Sequence, residues 1–158
     1  MPPSPGNVSA EDSKKNEYDF KGIGVQKQVQ LSFGPKKQLF MNVMLTSPIG
    51  KGPFPIILIN RRSSERSRIQ PENLEASIRN GYLVVEYTAS DLQADETDIL
   101  GPAKTAYHDY DWGTIAVWAW GGMRVLDYLV TLPIVDSKKI LVTGHSRGGK
   151  TALLTGAL

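Results

Sequence analysis

"KKILVTGHSRGGKTAL", residues 138–153, decides how this chain is read. The run KKILVT is a buried-type strand that ends at a glycine, and TALLTGAL, residues 151–158, has the composition of a helix. Between them, Gly144-His145-Ser146-Arg147-Gly148 spells G-x-S-x-G, the sharp strand-to-helix bend that presents a serine hydroxyl as a nucleophile. Gly144 to Thr151 also satisfies G-x-x-x-x-G-K-[ST], a loop whose amides cradle phosphate. Both patterns want a strand before and a helix after. Position separates them. A P-loop usually opens its core sheet, and a later acidic strand holds Mg²⁺. Here several strand-like runs precede the motif and none follows it, so the nucleophile reading is preferred.

Upstream, Val25, Val29, Leu31 and Phe33 fall on one face at period two, Gly34-Pro35 makes a turn, and QLFMNVML continues as a second strand. These predict an antiparallel hairpin. PIILIN, residues 55–60, and YLVVEY, residues 82–87, are continuous apolar runs suited to strands buried on both faces. Pro71 to Asn80 reads as a helix, with Pro71 in its first turn and Gly81 just past its end. The Asp-rich stretch from Thr88 to Asp111 reads as a long loop. Trp112 to Leu132 is the strongest helix, apolar on most faces. Gly121-Gly122 weakens it by about 1 kcal/mol per glycine relative to Ala, which implies close packing against a neighbour. The order predicts an α/β fold of three layers: a mostly parallel sheet behind an N-terminal antiparallel hairpin, cut off after the helix that follows the bend. Residues 1 to 20 are polar and aperiodic and read as a flexible lead-in, leaving 21–158 as an incomplete domain.

Composition narrows the classes. The chain has 158 residues, 41% hydrophobic and 22% charged, which is ordinary for a globular protein. A formal charge of +2 gives no argument for nucleic acid or an acidic membrane surface as partner. No cysteine is present, which removes disulfides, thiolate catalysis and cysteine-bound metal. No apolar run approaches the ~20 residues of a membrane span, and the N-terminal stretch has no hydrophobic segment of the secretory kind.

WGTIAVWAWGGMRVLDYL together with VDSKKILVTGHSRGGKTAL resembles the glucuronoyl esterases and their bacterial esterase relatives, carbohydrate esterases of the α/β-hydrolase fold. Their hallmark, G-[CH]-S-R-x-G-K, is matched by Gly144, Ser146, Arg147, Gly149 and Lys150, and the resemblance runs over about residues 25–158. His145 stands where the fungal members have Cys, which leans toward the bacterial branch. The resemblance implies Ser146 as nucleophile. It implies Arg147 as oxyanion donor through its backbone N–H and guanidinium, and Lys150 as a contact to hydroxyls of the sugar acid. The implied reaction is hydrolysis of a (4-O-methyl-)glucuronoyl ester of xylan through an acyl-enzyme, with no metal or cofactor. Another acyl hydrolase of the same fold, such as an acetyl xylan esterase, is the nearest alternative, and the P-loop protein a more distant one. Secretion or a periplasmic location is implied by the family alone.

A serine needs a base. In this fold the order is Ser, then acid, then His, yet only twelve residues follow Ser146. The two histidines fit poorly. His145 adjoins the nucleophile on a tight turn and reads as a packing residue; His108 lies upstream in the polar loop and reads as surface. The acid and histidine are therefore expected in a missing C-terminal part of the domain. Asn60 and Arg61 follow the third strand, where the fold places a second oxyanion donor. RRSSERSR, residues 61–68, reads as a solvated basic loop rather than a nucleic-acid patch. Trp118 and Trp120 are expected in the core, Arg124 and Asp127 as an i, i+3 pair, and Asp91, Asp95 and Asp98 as a solvated loop without calcium-binding spacing.

Overall fold

The structure is a computed structural model that describes residues 1–11, 17–61, 69–96 and 99–158. Its centre is a hairpin of two ten-residue strands, β3 (Gly24–Phe33) and β4 (Leu39–Pro48), paired antiparallel from Gly24↔Pro48 to Phe33↔Leu39. Period-two patterning explains the pairing. Val29, Leu31 and Phe33 of one strand and Leu39, Met41, Val43 and Leu45 of the other all enter the core. Val25 is the exception at 38% exposure.

The predicted lead-in is structured in part. Two short strands, β1 (Ser9–Glu11) and β2 (Glu17–Phe20), pair antiparallel with successive parts of β3. Ahead of them, Trp120 Nε1 donates to the Pro2 carbonyl at 3.0 Å, and the Asn7 side chain exchanges two hydrogen bonds with Gly34. Backbone pairing against an existing strand edge needs no apolar periodicity, so composition does not announce it.

Beyond the hairpin come β5 (Phe54–Arg61), α1 (Pro71–Arg79), β6 (Leu83–Thr88), α2 (Pro102–Ala106), α3 (Thr114–Leu129), β7 (Val135–Thr143) and α4 (Arg147–Ala157). The sheet order is β1-β3-β4-β6-β5-β7, with β2 also on β3. The sheet is mixed. β6, β5 and β7 run parallel, and β4 joins them antiparallel through β6. The parallel strands carry the helices. α1 lies on one face, where Leu74 and Ile78 pack with Ile59 and Val84. α3 lies on the other, packing Val117, Trp118, Trp120 and Val125 against Ile56, Leu58, Val85 and Tyr87, with α4 beside it. All six residues of β6 are buried, as a strand covered on both faces requires.

α3 comes close to its neighbours where the sequence has two glycines. A side chain at Gly122 would stand 2.8 Å from the Tyr87 hydroxyl, and one at Gly121 would stand 2.7 Å from Leu92. The stretch 88–111 is more ordered than a solvated loop. Gln93 is fully buried and cross-links it, its Nε2 donating to Ile99 O at 2.7 Å and its Oε1 accepting from Gly101 N at 2.9 Å. Among the described residues no helix is long and apolar enough to cross a membrane.

Candidate active site

Parallel pairing fixes where the chemistry gathers. Ile59 aligns with Thr143 and Asn60 with Tyr87, so the loops after β5, β6 and β7 leave from one edge of the sheet. They enclose a cavity of about 350 Å³. Asn60 reaches it from β5, Asp95 from the loop after β6, Trp118 from α3, and His145 to Gly148 from the bend between β7 and α4.

Ser146 sits at the top of that bend with φ 55° and ψ −122°. This is a sparsely populated conformation for a residue with a side chain and costs about 1–3 kcal/mol. A serine at a helix start ordinarily spends its hydroxyl capping first-turn amides. Ser146 makes no such cap and is exposed, so its oxygen faces the cavity uncommitted. The bend is tight because Gly144 passes against the Gly148 main chain, where any side chain at 144 would collide with the Gly148 carbonyl.

The same tightness disposes of the phosphate-loop geometry. Gly148 N donates to His145 O at 2.9 Å and Lys150 N to Ser146 O at 3.1 Å, so these amides are unavailable to a phosphate. Thr151, whose hydroxyl would have to meet Mg²⁺, is fully buried and donates instead to Arg147 O at 2.9 Å.

Arg147 is the first residue of α4, where backbone N–H groups lack intrahelical partners and the macrodipole favours negative charge. Its guanidinium forms an ion pair with Asp95, whose carboxylate is only 13% exposed. Asp95 and Asp91 are therefore engaged by the fold and not simply solvated. Asp95 belongs to the cavity, and Asp91 accepts from the Asn42 backbone and side-chain amides at 2.8 and 2.9 Å. Asp98 and most of the 61–68 run lie outside the described residues.

Asn60 is 7% exposed, and its Nδ2 has no hydrogen-bond partner. An unmet buried amide costs on the order of 1–3 kcal/mol, so this side chain is set for a partner that the described residues do not give. Arg61 is also buried, at 8%, but does not line the cavity. Lys150 is exposed on α4 and lies outside the lining as well. His145 is exposed rather than packed, because the bend lifts it to the rim, where it borders the cavity and a second cleft beside α1. His108 is a surface residue, its Nε2 3.2 Å from Asp109. No hydrogen bond joins either histidine to Ser146 among the described residues. No group of three metal-ligating side chains occurs among them either.

Trp118 is both core and site. It is 1% exposed, its Nε1 donates to Gln93 O at 2.8 Å, and its ring borders the cavity. Arg124 pairs with Asp127 at 2.7 Å as the spacing predicts, and it also lies over the Trp120 ring at 5.1 Å. Asp95 and Trp118 line the cavity although the sequence did not single them out for it. A cation in the first turn of α4, Arg147, is a local sign that negative charge lies nearby.

Comparison with known proteins agrees with the geometry. A family model described as "Glucuronyl esterase, fungi" matches residues 29–158. Carbohydrate esterase MZ0003, from an unknown prokaryotic organism, is 28% identical over 188 residues, covering 91% of this chain and 44% of that protein. A 4-O-methyl-glucuronoyl methylesterase of Thermothelomyces thermophilus is 32% identical over 139 residues, covering 82% of this chain and 32% of that one. The structure of a glucuronoyl esterase from Solibacter usitatus superposes with a TM-score of 0.82 at 22% identity, over 99% of this chain and 50% of that one, and shares its α/β-hydrolase fold. The chain thus spans half or less of each of these proteins. With the family model running through both the strained serine and the strands that carry it, the chain belongs to the glucuronyl esterase family.

Proposed function

We propose that the protein carrying this chain is a serine carboxylic-ester hydrolase acting on a carbohydrate ester, a (4-O-methyl-)glucuronoyl ester of xylan. The observation that supports it most is Ser146: strained, uncapped and facing a cavity shared with Arg147. In this reading Ser146 Oγ adds to the ester carbonyl carbon and gives its proton to a base. The tetrahedral intermediate expels the alcohol, which takes that proton, and leaves an acyl-enzyme. Water then adds to the acyl carbon and releases the uronic acid and Ser146. The Arg147 N–H and guanidinium meet the oxyanion, where donors set in place beforehand act on charge that appears only in the transition state. Asn60 supplies a further donor from β5, and Lys150 contacts sugar hydroxyls outside the cavity.

The base and its acid partner are proposed to come from the further length that the relatives have beyond this chain's share, since among the described residues neither His108 nor His145 is bonded to Ser146. The 158-residue chain alone should therefore show no triad-level turnover. In a polypeptide that also carries the histidine and acid, alcohol release from a glucuronoyl ester should fall by about three orders of magnitude or more in Ser146→Ala. Equal rates in parent and variant would overturn the reading.

A further inference from the structure

Arg147 is a cation where a helix disfavours one. The positive end of the macrodipole repels it by some tenths of a kcal/mol, and its side chain is 60% exposed. Left alone, such a guanidinium would turn into water. Asp95 prevents this, with Oδ1 accepting from Nη1. The carboxylate is largely withdrawn from solvent, so it needs a charged donor as much as Arg147 needs an anion. Its own position is fixed by the buried Gln93, two residues earlier, which is tied to Ile99, Gly101 and Trp118. Trp118 is in turn part of α3, so Asp95 is referenced to the rigid core.

We propose that Asp95 is a positioning residue for ester hydrolysis. It holds the Arg147 guanidinium at the cavity beside Ser146, engaging one nitrogen and leaving the other donors to a ligand's acyl oxygen. Its charge has a second effect. A guanidinium already paired with a carboxylate retains a neutral ester through hydrogen bonds but gains less from an anionic ligand. The uronate product, which carries the carboxylate that hydrolysis creates, is thus held less tightly than a lone arginine would hold it. The chemistry of this assignment rests on the ester-hydrolase reading; the geometry does not.

The test uses this chain, with two readouts. The Arg147 Nη–H resonances, identified by their loss in Arg147→Lys, should be protected from water exchange through the Nη1 bond to Asp95. That protection should collapse in Asp95→Asn and return in part in Asp95→Glu. Dissociation constants for methyl glucuronate and for glucuronate give the ratio of ester to acid affinity. That ratio should fall by roughly tenfold in Asp95→Asn and recover toward the parent value in Asp95→Glu. General loosening of the fold would weaken both ligands together and would not be repaired by Glu, so that pattern contradicts the proposal. An unchanged guanidinium resonance in a folded Asp95→Asn protein contradicts it as well. Should neither ligand bind, in the parent chain or in a polypeptide that also carries the rest of the domain, the functional reading fails, and the guanidinium resonance still decides the role of Asp95.

Discussion

At the scale of single residues, backbone strain gathers at the serine proposed to do the chemistry. Ser146 holds φ 55° because Gly144 and Gly148 cross tightly beneath it. Glycine tolerates that conformation, so Ser146→Gly should raise folding stability, by up to about 1 kcal/mol in a denaturant midpoint, while removing the hydroxyl proposed as the nucleophile. A destabilised variant would show that the serine side chain supports the bend instead of straining it. Ser146 was legible because its constraints are local: glycines at fixed offsets mark where main chain must touch main chain. Asp95 was not, because its partner is 52 residues away in sequence and an acidic run in a polar stretch looks the same whether solvated or paired. Asn60 was placed near the site by strand order alone, whereas its unmet side-chain amide is visible only once burial is known.

At the scale of elements, α3 is the part that sequence described best and the structure explains most fully. Its all-round apolar character predicted a covered helix, and nine of its sixteen residues are buried. The Gly122 position faces the Tyr87 hydroxyl, which donates to Trp118 O at 3.1 Å. Gly122→Ala should gain about 1 kcal/mol in helix propensity yet lose about 1–3 kcal/mol to overpacking, a net destabilisation readable by thermal melting. A stabilised variant would contradict the close approach. Burial pushes the Tyr87 hydroxyl well above its usual 10.0, the hydrogen bond to Thr155 opposing the shift. The unfolded chain therefore loses this proton near pH 10 and the folded chain only at higher pH. The stability linked to it is complete below pH ~10 and drains as pH rises beyond that. Tyr87→Phe should flatten that alkaline decline in a denaturation series, and an unchanged slope would contradict it. By contrast, α2 has five residues and β1 three, too few for periodicity to register, so both escaped the sequence.

At the scale of the whole molecule, β7 ends the sheet, with β5 alone beside it among the described residues. Leu141 on this strand is 54% exposed and Leu153 on the adjoining face of α4 is 79% exposed, flanking an apolar groove of about 620 Å³. An open edge with apolar flanks invites pairing with other chains. The isolated chain should therefore associate with rising concentration in sedimentation experiments, and Leu153→Glu should reduce that association; a monomer at every concentration would contradict it. Fold class was legible from the order of runs, since a hairpin followed by strand–helix alternation admits few topologies. The extent of antiparallel pairing was not, because polar edge strands such as β2 are held through their backbones. What unites the molecule is that three parallel strands bring one bent turn, one buried amide and one anchored carboxylate to a single rim. The most direct test is the amide spectrum of this chain titrated in turn with methyl glucuronate and with MgATP. The account predicts saturable shifts at Asn60, Asp95, Ser146 and Arg147 with the ester and none at Gly148 to Thr151 with the nucleotide. The reverse pattern would mean that the bend cradles phosphate and that its serine is no nucleophile.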